Sequence, residues 1–160
     1  MAVKEYWDLV GPVWEHVDIY NGEETFLKTF RQCPKEVGHL YATHFCQSEV
    51  CNGGFWQFFE NGTGMLAPEA IEGFKAIGLP AVALVLKEAI NLFPKPYSRD
   101  QTDRTDWMYV TLDDKASAHL SDELDELTER FYELLQAEEG GFTEVADSYA
   151  RSVGDARQAG

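Results

Sequence analysis

Glu49-Val50-Cys51-Asn52-Gly53-Gly54-Phe55-Trp56-Gln57-Phe58-Phe59-Glu60-Asn61-Gly62 is the stretch whose reading decides the fold. Two adjacent glycines permit positive φ or close backbone packing, so they break whatever helix precedes them. Asn52 is placed to end that helix or to cap the next. After the break, Phe55, Phe58 and Phe59 share one helix face and Trp56 widens it, while Gln57 and Glu60 fall on the other side. The stretch therefore predicts helix, sharp turn and short aromatic helix. Two readings of its polar residues are open. Glu49, Asn52, Gln57 and Asn61 are caps and buried hydrogen bonds that lock the turn, or they line a polar pocket beside an aromatic wall. The glycines do not form a phosphate-cradling loop, because GxGxxG and a following Lys-Ser/Thr are both missing.

Helical spacing continues outward in both directions. Upstream, Val37, Leu40, Tyr41, His44 and Phe45 predict a helix over 35–50 with Pro34 in its first turn. Before it, a short helix is expected over 23–31. Residues 4–20 also have helical spacing, with a kink or restart at Gly11-Pro12. Downstream, Pro68 and Pro80 each open a helix, over about 68–77 and 80–93. Leu120, Leu124, Leu127, Phe131 and Leu134 alternate steps of four and three after a cap at Ser121. A last helix is expected over 142–153. Pro94 and Pro96 rule out helix locally, and 94–118 reads as one irregular loop, with Trp107 to Leu112 a short strand or an aromatic tether. The expected fold is all-α: one domain, residues 1–154, forming an orthogonal bundle of about seven helices, with 155–160 a frayed tail.

The charge is lopsided. Against 13 Lys and Arg stand 28 Asp and Glu, net −15 over 160 residues. Such a chain repels nucleic acid and anionic membranes and attracts basic proteins. Between Asp113 and Asp147, twelve acids face only Lys115 and Arg130, net −10. Asp122, Glu126, Glu129 and Glu133 recur by four, three and four, which makes a carboxylate row adjacent to the Leu seam, flanked by Glu123 and Asp125. A rigid row of this kind can imitate part of the field of DNA for a basic partner. A solvated face that only keeps the protein soluble is the plainer alternative.

The run from Asn52 to Gly62 resembles the signature of the DNA-mimic-protein-type domain, a family long classed as a domain of unknown function. Ala70 to Gly78 and Ala81 to Phe93 are similar to that family's next two helices, so the resemblance covers roughly residues 40–95. It implies an all-helical fold. It also implies, from the best-known member, an acidic dimer that occupies a DNA-binding transcription factor. Within the signature, Glu49, Asn52, Gly53, Gly54, Phe55, Gln57, Phe58 and Asn61 are expected to be structural. A match of this kind carries fold more safely than function.

Other chemistry finds little support. His39 and His44 are five apart and do not align on a helix face, HExxH does not occur, and His44, Cys46 and Cys51 would need an unusual turn to bind metal. Three cysteines without CxxC spacing fit a reducing compartment. With no long apolar run and an acidic N-terminus, a cytoplasmic location is expected. The expected role is that of a non-enzymatic acidic interaction domain. It would take no cofactor or metal and would bind neither nucleic acid nor membrane. Its partner would be a basic DNA-binding protein, with a homodimer through Trp7, Trp14 or residues 105–112 in view. Two alternatives stand beside it: a small-molecule-binding domain or enzyme with a pocket near Asn52, Gln57 and Asn61, and an immunity-type partner of a basic toxin.

Overall fold

The computed structural model describes residues 2–160. Among them are eight α-helices and no strand, as expected of an all-α domain. The helices are α1 (Trp7–Trp14), α2 (Glu23–Phe30), α3 (Lys35–Glu60), α4 (Ala67–Ala76), α5 (Pro80–Ile90), α6 (Gln101–Asp106), α7 (Asp114–Gln136) and α8 (Gly141–Ala159). A 3₁₀ turn (Gly62–Leu66) joins α3 to α4, and a π-helical turn (Trp107–Thr111) follows α6. No described helix is long and apolar enough to cross a membrane.

Helix α3 is central and touches α1, α4, α6, α7 and α8. It is two helices joined at the double glycine. Gly53 has φ −147° and ψ 21°, and Gly54 has φ 76° and ψ −179°, a region open essentially to glycine alone. Beyond the break, Phe55, Phe58 and Phe59 are fully buried. The Phe55 ring meets Phe131 of α7 edge-on at 5.4 Å, and Phe59 lies 4.5 Å from Phe93. Losing one such ring to alanine removes about 3–5 kcal/mol.

The break leaves helix hydrogen bonds unmade, and α7 replaces them. The Phe55 amide donates to Thr128 Oγ1 at 3.0 Å, and that hydroxyl donates onward to Leu124 O at 2.7 Å. The Tyr132 hydroxyl donates to Val50 O at 2.7 Å. Thr128 and Tyr132 are four apart on α7, so both reach α3 from neighbouring turns.

The second pin is Arg104, only 2% exposed. Its guanidinium donates to Phe59 O (2.9 Å), Asn61 O (2.7 Å), Arg99 O (2.6 Å) and Ser98 O (3.2 Å). Two of these carbonyls belong to the C-terminal end of α3, where the helix dipole favours a cation. Burial lowers the Arg104 pKa, but the group stays charged.

The expectation of one irregular segment over 94–118 fails in its second half. Asp100 accepts the Asp103 amide at 3.0 Å and starts α6, and Asp113 accepts the Ala116 amide at 2.8 Å and starts α7. Helix α7 thus begins seven residues before Ser121. Trp107 to Thr111 is neither strand nor tether: the Leu112 amide bonds Trp107 O at 3.1 Å, the wider i to i+5 spacing. The buried seam ends on Leu135 rather than Leu134. Helix α8 runs to Ala159, so the expected frayed tail is helical though exposed.

Three substitutions test this arrangement, two at the pins and one as a control in α1. Gly54→Ala should cost about 1–3 kcal/mol in urea unfolding, because its Cβ is strained and would sit 3.3 Å from Thr128 Oγ1. Gly11→Ala, in open space within α1, should be neutral or stabilising by up to ~1 kcal/mol. Arg104→Met strips the donor from buried carbonyls and should cost about 3 kcal/mol or more in the same assay.

Candidate functional site

The expected site residues fall into two groups, one on each side of the α3–α7 contact. The first is the polar cluster of the signature. Glu49 Oε2 accepts from Gln57 Nε2 at 2.7 Å and from Asn61 Nδ2 at 3.1 Å, and Asn52 Nδ2 donates to Gln57 Oε1 at 3.3 Å. All four side chains therefore bond one another across the break. Gln57 folds back over Gly53, where a Cβ would lie 2.0 Å from its Oε1. These contacts form a side-chain network across the break, and among the described residues none of the four side chains bonds a backbone group. These residues also line a shallow, open, polar depression with Gln47, Ser48 and Cys51. Their amide N–H groups already have partners within the cluster, and the aromatic rings expected as its wall are turned away, with Phe55, Phe58 and Phe59 in the core.

The second group is the acid row on α7. At about 100° per residue, Asp122, Asp125, Glu126, Glu129 and Glu133 fall within an arc of about 100°. Leu120, Leu124, Leu127, Phe131 and Leu135 centre on the opposite side. The row is thus not adjacent to the apolar seam but faces away from it, and all five acids are exposed. None of the five has an ion-pair partner among the described residues. Glu123 stands apart: it is half-buried and lies 3.6 Å from His119 Nε2.

Other acids of the −10 segment serve the fold. Asp113 caps α7, Glu144 pairs with Arg151 at 2.6 Å, and Asp147, 9% exposed, accepts the Tyr6 amide at 2.8 Å. Arg130 does not neutralise the row. It forks onto Glu88 of α5 at 2.6 and 3.2 Å, and that hydrogen bond lowers the Glu88 pKa.

The row does not help α7 fold. Five like-charged pairs at three or four residues destabilise it by about 1–2 kcal/mol at low salt. The last turn of α7 holds no base, so Glu133 also opposes the helix dipole. From Asp122 to Glu133 the axis advances about 16 Å, one carboxylate per roughly 4 Å. A single DNA strand carries one phosphate per about 3.4 Å.

Sequence reasoning missed Thr128, Tyr132 and Arg104. The first two belong to the Leu-rich pattern, where a hydroxyl gives no separate signal. Arg104 lies in the segment taken for loop. The only local hint for it is Asp100, whose capping spacing to Asp103 is legible. The expected dimer contacts are partly exposed: Trp7 and Trp14 at 37% each, Tyr109 at 55% and Val110 at 76%. Trp14 stacks on Phe45 at 4.8 Å, and Tyr109 receives the Trp56 Nε1–H at 2.8 Å.

A family model described as DMP19-like protein matches residues 31–153, well beyond the 40–95 over which the resemblance is legible by eye. Comparison with curated proteins and with solved structures gives no significant match.

The network makes a direct prediction. Glu49→Ala leaves the Gln57 and Asn61 amides without their shared acceptor and should lower stability by about 1–2 kcal/mol in urea unfolding, with helical content unchanged.

Proposed function

The chain belongs to the DMP19-like protein family, and from that premise we propose that it is a non-enzymatic acidic interaction domain whose α7 row occupies the DNA-binding surface of a basic protein. The observation that carries this reading is the row itself: five exposed, unpaired carboxylates in one stripe, on the side of α7 away from the core. Their spacing is close to that of phosphates along one strand. They are held where they weaken the helix, which suits a binding role better than a stabilising one. The family is one of DNA mimics, which agrees with that use. A DNA-binding protein meets α7 with Lys and Arg. Its attraction is long-ranged at low salt and is screened within about 8 Å at physiological salt.

Self-association in this role would use apolar surface rather than the row, because chains of net −15 repel. Trp7, Trp14, Tyr109 and Val110 are among the exposed apolar groups available for it, with Tyr20 and Leu84.

The test is competition. Immobilised protein should retain basic DNA-binding proteins at about 50 mM salt, release them to duplex DNA, and lose most of them by about 200 mM. The double variant Glu126→Lys/Glu129→Lys should retain about tenfold less while keeping or raising its melting temperature, since both positions are exposed and their repulsion is relieved. Retention that DNA does not displace, or that the double variant preserves, would sink the reading.

A further inference from the structure

Away from α7, a groove of about 420 Å³ opens between the end of α2, the start of α3 and the start of α4. Small-molecule pockets commonly measure ~300–1,000 Å³. Phe30, Cys33, Pro34, Gly38 and Pro68 give it a mainly apolar lining. Burial raises the Cys33 pKa, so the thiol stays protonated and behaves as a small apolar group. Its hydrogen points back to Thr29 O at 3.7 Å. Burial, with help from Lys35, lowers the His39 pKa, so this ring adds little charge near neutral pH, and it is held by Tyr149 at 3.3 Å.

The rim reverses the charge of the rest of the molecule. Arg31 and Lys35 are both exposed at the groove, and neither forms an ion pair among the described residues. The groove's two acids are both engaged. Glu69 takes a two-pronged contact from Arg99 at 2.7 and 2.8 Å, and Glu72 pairs with Lys75 at 3.0 Å. Pro34 also leaves the first-turn amides of α3 without a side-chain acceptor. In a chain with 13 bases against 28 acids, two uncommitted cations at the mouth of an apolar groove select an anion with an apolar body.

We propose that this groove binds a small amphipathic carboxylate, its body against Phe30, Pro34 and Pro68 and its carboxylate between Arg31 and Lys35. The site lies on other elements than the acid row and is independent of it.

The probe is 4-phenylbutyrate, with neutral 4-phenylbutyramide as its control, titrated into the isotopically labelled full chain and followed by amide chemical shifts. Saturable shifts confined to residues around 30–39 and 68–72 are expected, with the amide binding about fivefold more weakly. In Arg31→Gln/Lys35→Gln that preference should fall below about twofold while helical content is kept. With Cys51→Ser removing the exposed thiol, the carboxylate should also slow alkylation of Cys33. Absence of saturable shifts at these residues, equal affinity for the amide, or a preference unchanged in the double variant would overturn the proposal.

Discussion

When a helix breaks at two glycines, amides and carbonyls on either side lose their partners, and in a buried setting they must find others. In this protein the others come from α7. Thr128 accepts the Phe55 amide and Tyr132 donates to the Val50 carbonyl, from residues 73 and 82 positions away in sequence. The Gly54 conformation, the aim of the aromatic helix and the seat of α7 are one constraint. Once Phe131 packs on Phe55 and Phe74, the rotation of α7 about its axis is set. Its far side is then the carboxylate stripe.

Arg104 closes the other end of the same helix. A buried cation without a carboxylate partner is costly unless hydrogen bonds offset its desolvation. Here four carbonyls take four of its five N–H donors, two of them at a helix C-terminus where negative potential is already concentrated. The result joins α6 and the 98–99 segment to the end of α3. The Glu49 network performs the corresponding task on the surface side, so the signature is held from both directions. The amides of this stretch are thus engaged within the fold, and the exposed carboxylate row lies elsewhere.

The acids divide by the same logic. Asp113, Asp147 and Asp100 are spent on amides, and Glu88 and Glu144 on arginines. The five on the outer side of α7 have no ion-pair partner among the described residues and repel one another. Within the net charge of −15, five acids without an ion-pair partner among the described residues share one stripe on α7, while the groove by α2 and α3 carries two cations at its rim.

Much of this was legible from residues alone, because it depends on local rules. The all-helical class, the break at Gly53-Gly54, the starts at Pro68 and Pro80, and the acid spacing follow from side-chain period and backbone freedom. The helix starts at Asp100 and Asp113 were legible in principle but were masked by the nearby prolines. What only the tertiary structure decided is which polar groups meet. That the Glu49 carboxylate gathers the Gln57 and Asn61 amides, that Arg104 is interior, and that Thr128 caps a distant amide depend on how the chain packs. Local pattern constrains which face a residue occupies. It does not say what stands opposite that face, because that is fixed by packing of the whole chain.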